Sequence, residues 1–141
     1  MEWTIVQGLE NAPQARRIRE EIFMQEQGFQ VEFDEIDPIA YHLLLWQEGE
    51  AVATGRLFPK AGDGAVYIVG RVAVRKAWRG RDLGRAVLEQ LEQKARQLGA
   101  GRIELSAQVQ AQGFYEKLGY TASGQPYLDE HCPHIHMEKT V

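Results

Sequence analysis

A single cysteine, Cys132, stands in 141 residues, so no internal disulfide can form and the fold has to be held by packing. No apolar run approaches the roughly 18 to 20 residues that a membrane helix needs. The start, Met1-Glu2-Trp3-Thr4, has no basic stretch leading into an apolar one, so a cytoplasmic protein without a membrane partner is expected. Positive charge is in deficit: 16 Lys and Arg against 20 Asp and Glu give a net charge of −4. That balance gives no support for a general polyanion binder, and nucleic acid is not an expected partner. Repeats, low-complexity tracts and Ser/Pro-rich linkers are missing as well. Residues 1–141 are therefore expected to form one domain, and a hydrophobic content of 44% is enough to build its core.

What is present alternates between two periodicities. Trp3 and Ile5 mark a short first strand, Asn11 offers an N-cap, Pro13 suits a first helical turn, and Ala15, Ile18, Ile22 and Phe23 recur at helical spacing up to Gly28. Ile39 to Gln47 and Ala51 to Phe58 read as an antiparallel hairpin across Glu48-Gly49-Glu50. Asp63-Gly64 marks a turn into Val66 to Val74, the most strand-like stretch of the chain. Leu83, Val87, Leu88, Leu91, Ala95 and Leu98 share one helix face, closed by Gly99. Ile103 to Ala107 follows as a buried strand, then a short helix from Ala111 to Leu118, then strands at Tyr120 to Ser123 and His134 to Lys139. A run of strands followed by strand-helix alternation predicts an α/β (α+β mixed) class, with a central mixed, mostly antiparallel sheet flanked by helices.

Basic residues concentrate in one place. Between Arg75 and Arg85 there are five (Arg75, Lys76, Arg79, Arg81 and Arg85) against one acid, Asp82, at a junction of strand and helix. Free N–H groups and the positive end of the helix dipole favour a phosphate there, and Gly80 and Gly84 admit a ligand close to the backbone. The plain alternative is a solvated surface turn.

Arg79-Gly80-Arg81-Asp82-Leu83-Gly84 resembles the R/Q-x-x-G-x-G/A loop of the GNAT superfamily of N-acetyltransferases, which cradles the pyrophosphate of acetyl-coenzyme A. Phe114-Tyr115-Glu116-Lys117-Leu118-Gly119-Tyr120 resembles the second signature of that family, at matching spacing. The two motifs and the elements between them span about Ile68 to Tyr120. Phe23 to Gln27, Asp34 to His42, Leu105 to Gln108, and Pro133-His134 with Met137 resemble the small YjcF/ElaA-like subgroup. Asp82 departs from the glycine usual at its position. It is expected to point away and cap the helix; the other reading is a clash that weakens cofactor affinity.

The resemblance implies transfer of an acetyl group from acetyl-CoA to a primary amine by direct attack, with no covalent enzyme intermediate and no metal. It places the cofactor on Val72, Ala73, Val74, Arg79, Gly80, Arg81, Asp82, Leu83, Gly84 and Arg85, with Gln108, Ala111, Phe114 and Lys117 as further wall residues. Backbone groups of Val72 and Val74 would pair with the pantetheine arm, and an N–H near Val74 would stabilise the carbonyl oxygen as charge develops. Tyr115 matches the general-acid tyrosine that protonates the departing thiolate, while its neighbour Phe114 takes the more buried role.

The acceptor side is less specific. No Lys or Arg occurs between Arg19 and Arg56, while Glu26, Glu32, Asp34, Glu35 and Asp37 cluster there, a negative field that would draw a cationic amine or serve only as a solvated loop. Glu26 and Asp37 are the candidate bases or substrate clamps. His42, Arg71 and His134 are candidate acceptor-pocket residues, with His134 placed to line that pocket or to pair with Arg71. His134, His136 and Glu138 share one strand face, but no second ligand pair accompanies them, so no metal centre is expected. Cys132 has no activating neighbour beyond the histidines and is not read as a nucleophile. A small-molecule or peptide amine is the expected acceptor, and exposed sheet edges are compatible with a homodimer. The rival reading is an acyl-CoA-binding sensor or regulatory module without turnover, against which Tyr115 argues. An NTP-binding role fails for want of a G-x-x-x-x-G-K-[ST] loop.

Overall fold

The computed structural model describes Met1–Val141. Its strands are β1 (Glu2–Gln7), β2 (Tyr41–Gln47), β3 (Glu50–Lys60), β4 (Asp63–Val74), β5 (Arg102–Gln108), β6 (Thr121–Asp129) and β7 (Cys132–Thr140). The α-helices are α1 (Pro13–Arg19), α2 (Leu83–Gln97) and α3 (Gln112–Lys117), and α1 continues into a π-helical segment over Glu20–Glu26. The strands form one seven-stranded sheet in the order β1-β2-β3-β4-β5-β7-β6. Only β4 and β5 run parallel, joined by the α2 crossover, so the sheet is mixed and mostly antiparallel.

Each face of the sheet has its own core. On the first face α2 lays Val87, Leu88 and Leu91 onto Leu43, Leu45, Leu57, Val69, Ile103 and Met137, all of them buried. Each such side chain contributes about 1.5 to 3 kcal/mol. Gly55 permits this approach, because a Cβ there would come within 2.8 Å of side-chain atoms of both Leu91 and Val87. On the second face α1 and the π-helical segment bury Ala15, Ile18, Ile22 and Phe23 against Leu44, Ala51 and Ala73.

Several local expectations are corrected. Asn11 does not cap α1: it lies in a 3-10 turn over Leu9–Asn11, its Nδ2 donates to the Gln7 carbonyl, and Ala12 takes the cap position. The α-helix reaches only Arg19; beyond it the bonds widen, as when Gln27 donates to the carbonyl of Ile22, five residues back. The turn before β4 falls at Ala61-Gly62, and Asp63-Gly64 already belongs to the strand. β6 and β7 are longer than expected and meet at Glu130-His131, with the Gly/Pro-containing middle of β6 taken up by a register shift between Ser123 and Tyr127. The Glu48-Gly49 turn is as expected, with positive φ at both residues, the geometry that matches strand twist.

Candidate active site

Two features of β4 create a cleft. The register with β5 runs only from Val66↔Arg102 to Val69↔Leu105, after which the strands part. On its other edge β4 carries a bulge: Thr54 pairs with Ala73 but Arg56 with Gly70, so Arg71 and Val72 together oppose Gly55. Arg71 takes positive φ (53°), and the side-chain alternation shifts by one there. Val69, Val72 and Val74 consequently pack toward the α2 core, while Ala73 joins the second core. The opening between the strands is a cleft of about 690 Å³. Val72, Ala73, Val74, Gln108 and Ala111 line it, as expected.

The basic loop closes one end of the cleft. Gly80 (φ 81°) and Asp82 (φ 59°) both adopt left-handed backbone, which turns the chain sharply into α2. The first α2 amide bonded in the helix is that of Ala86, which donates to Asp82 O at 3.1 Å. The N–H groups of Gly80 through Arg85 have no acceptor within the chain, a row of donors at the positive end of a 15-residue helix. Gly84 lets the Phe114 ring come close: a Cβ there would sit 3.2 Å from Phe114 Cζ. Loop donors and apolar strand walls together fit an acyl-CoA. Asp82 does not cap α2 through its side chain, contrary to expectation, because left-handed backbone is not the extended geometry of an N-cap.

The basic side chains divide. Arg79 is at the cleft, but its Nη1 and Nη2 donate to the two Glu26 carboxylate oxygens at 2.8 Å each, and its Nε donates to Val74 O. Arg81 lies over the Trp78 ring, 4.8 Å from its centre, and outside the cleft lining. Arg85 and Lys117 are also outside it, on a separate groove with Glu89 and Lys139, because they occupy the outward faces of α2 and α3.

Tyr115 and Phe114 both line the cleft with their burial reversed from expectation. Phe114 is 38% exposed, while Tyr115 is half-buried between the rings of Phe114 and Tyr120, at 5.0 and 5.8 Å. Burial pushes the Tyr115 phenol up to about 12, so it holds its proton throughout the neutral range.

The acidic stretch is not a solvated loop. Arg19, Arg56 and Arg71 meet Glu32, Asp34 and Asp37 in one ion network: Arg19–Glu32 2.8 Å, Arg19–Asp37 2.8 Å, Arg56–Asp34 2.7 Å, Arg56–Asp37 2.9 Å and Arg71–Glu32 3.0 Å. This removes Asp37 as a base. Burial alone would raise its carboxyl, but hydrogen bonds from Arg19, the Asp34 amide and Arg56 hold it far below the carboxylate range. Glu26 fails for the same kind of reason, its carboxyl lowered first by the hydrogen bonds from Arg79. His42 is sealed away from the cleft, with Nε2 2.9 Å from Asp37 O and Nδ1 buried without a partner. Arg71 and His134 do line the cleft but do not pair, since Arg71 turns to Glu32 and Asp34 and His134 Nδ1 bonds Cys132 O at 2.9 Å. Glu32, not singled out in the sequence, reaches the cleft too, and burial raises its carboxyl despite Arg71 and Arg19. Only the bulge, which aims Arg71 at it, would have identified it.

His136 does not group with His134. Its ring lies with Glu104 and Glu138, ligand atoms within 4.8 Å of one another, but Lys60 at 2.9 Å and Arg102 at 2.8 Å already engage both Glu104 oxygens. Cys132 is buried in the second core, which raises its thiol. No helix is long and apolar enough to cross a membrane.

Comparison with known proteins agrees with this geometry. Residues 11–141 match the acetyltransferase (GNAT) domain model. The uncharacterized N-acetyltransferase YjcF of Bacillus subtilis (strain 168) is 33% identical over 142 residues, covering 99% of each chain. The crystal structure of an acyl-CoA N-acyltransferase from Pseudomonas aeruginosa superposes with a TM-score of 0.87 at 30% identity, covering 99% of this chain and 100% of that one. Escherichia coli ElaA gives the same TM-score at 25% identity, with 98% of each chain covered. The likeness thus runs along the whole chain, and with it acyl transfer from coenzyme A: this protein belongs to the GNAT acetyltransferase family.

Proposed function

We propose that the chain is an N-acetyltransferase, a cytoplasmic enzyme whose residues 1–141 act as one catalytic domain, moving an acetyl group from acetyl-CoA to a primary amine of a small molecule or peptide. The observation that carries this reading is the row of uncommitted N–H groups from Gly80 to Arg85 at the mouth of the cleft between β4 and β5. Those amides take the pyrophosphate oxygens, with Gly84 and Phe114 as the floor beside them. The edge of β4 that β5 leaves uncovered, from Val72 to the Val74 N–H, pairs with the pantetheine arm as an added strand would, while Val74 O is held by Arg79 Nε. A backbone N–H on that edge donates to the thioester carbonyl oxygen as negative charge develops on it.

Tyr115 then supplies the proton that the departing thiolate takes. A phenol held near 12 by burial is a weak acid toward water but remains fully loaded at pH 7, and a thiolate forming within a half-apolar wall draws its proton readily. The acceptor enters from the opposite face of the sheet, where Phe58, Ile68, Arg71 and His134 line the cleft. Homodimerisation through an exposed sheet edge is compatible with this arrangement but not required by it.

Calorimetric titration with acetyl-CoA tests the reading, followed by a thiol-release assay over a panel of primary amines. Micromolar binding with release dependent on an amine is expected. No binding up to about millimolar, roughly −4 kcal/mol, would refute it, and binding without release would reduce the chain to a sensor.

A further inference from the structure

We propose that His134 Nε2 is the base that takes the proton from the acceptor amine, an inference that rests on the acetyltransferase reading. The two buried histidines of the chain differ in the one respect that matters. His42 has no nitrogen open to the cleft: Nε2 is spent on the Asp37 carbonyl and Nδ1 is sealed. His134 bonds its Nδ1 to the Cys132 carbonyl at 2.9 Å, and a carbonyl can only accept. Nδ1 therefore carries the hydrogen, and Nε2 is left with a lone pair. That Nε2 has no partner in the chain and is not among the sealed polar atoms, while the residue as a whole is 7% exposed and lines the cleft.

The ring is also held in place. It stacks on Tyr127 at 6.3 Å and meets the Phe29 edge at 6.3 Å. In register it lies beside Gln108, at the end of β5 where the strands have parted. Ile135 and Met137 point into the α2 core, so His134 projects from the other face, the acceptor side, while Tyr115 packs on the α2 side. Base and acid thus flank the opening from opposite faces of the sheet. The charged and titratable groups around the ring are Tyr127 and Asp129 on β6, Cys132 on β7, and Glu32, Arg56 and Arg71 across the cleft. Of the carboxylates, Glu32 is held by two arginines, Glu26 and Asp37 are committed as described, and Asp129 is exposed to water at the end of β6.

The step balances. The acceptor ammonium gives one proton to His134 Nε2, and the freed nitrogen lone pair forms the N–C bond as the C–S bond breaks with its electrons on sulfur. Tyr115 protonates the sulfur, the surplus proton on nitrogen passes through water to restore the phenol, and His134 returns its proton to solvent.

The test compares wild type, His134→Gln and His134→Ala, with acetyl-CoA and two probe nucleophiles: propylamine, an ammonium ion at pH 7, and methoxyamine, which is already neutral there. Acetyl-CoA affinity within two-fold of wild type in both variants serves as the fold check. For His134→Gln, a loss of about 10²-fold or more in kcat/KM is expected with propylamine, and a loss of only a few-fold with methoxyamine. Imidazole should restore part of the activity of His134→Ala. Equal losses with both nucleophiles, or unchanged activity, would overturn the assignment. Wild type that binds acetyl-CoA but acetylates neither probe would also overturn it while sparing the cofactor site. Wild type that fails to bind acetyl-CoA would refute the acetyltransferase reading itself.

Discussion

The ion network of Arg19, Arg56, Arg71, Glu32, Asp34 and Asp37 and the loop from Arg75 to Arg85 are both rich in charge, but their donors are treated differently. In the network three guanidinium groups meet three carboxylates, largely out of water, and the charges cancel within the chain. In the loop the side chains of Arg79, Arg81 and Arg85 are turned aside to Glu26, Trp78 and Glu89, and the backbone amides from Gly80 to Arg85 have no acceptor in the chain. Matched charge shapes one wall of the cleft and is spent on structure; unmatched donors remain available to a ligand. Counting charges cannot tell these apart, whereas counting satisfied partners can.

The largest expected effect lies between the two regions. Tyr115→Phe should lower kcat by about 10² to 10⁴-fold, as for loss of a positioned general acid, with acetyl-CoA affinity unchanged in calorimetry. Because burial holds that phenol near 12, wild-type activity should show no alkaline loss from Tyr115 up to about pH 10.

Asp37→Asn tests whether the network is structural. Removing one partner of a buried ion cluster costs about 3 to 5 kcal/mol, so a large fall in Tm is expected in thermal melts. The sign with pH follows from the depressed Asp37 carboxyl. Its stabilisation is complete above the unfolded value, about pH 4, and is lost as pH falls toward its lower folded value. Acid titration of stability should therefore be shallower in Asp37→Asn than in wild type; an unchanged acid slope would mean the network stores no such stability.

Glu26→Gln blurs the distinction between the regions by releasing Arg79 to the loop. Because the pair is partly exposed, tighter acetyl-CoA binding of about two- to five-fold is expected, with kcat unchanged; a collapse of kcat would restore Glu26 as a base. Asp82→Gly should have the smallest effect. It relieves a left-handed non-glycine residue by about 1 kcal/mol and removes a negative charge beside the amides, so a slight gain in both Tm and acetyl-CoA affinity should be measurable.

Much of the fold was legible in one dimension, because period and punctuation are local. The α2 stripe from Leu83 to Leu98, the Glu48-Gly49 turn and the Val66 to Val74 strand each state their own geometry. The exposed amides ahead of α2 were legible for the same reason, since a helix N-terminus following a strand leaves its amides free wherever it occurs. Asn11 and the π-helical turn were misread because capping and helix width yield to packing on the second core. The acidic stretch was misread more deeply. Asp37 lies in a segment that looks polar and loop-like, yet it is buried in the ion network beside His42.

The sequence by itself determined the mixed sheet, the α2 crossover and the loop of free amides that opens α2, since each is signalled by residues close together along the chain. Tertiary structure alone decided which carboxylates are neutralised and which histidine keeps a free nitrogen. Those outcomes depend on partners that lie far away in sequence, 53 positions from Glu26 to Arg79, and on a one-residue bulge at Arg71 that changes which face of the sheet each following side chain meets.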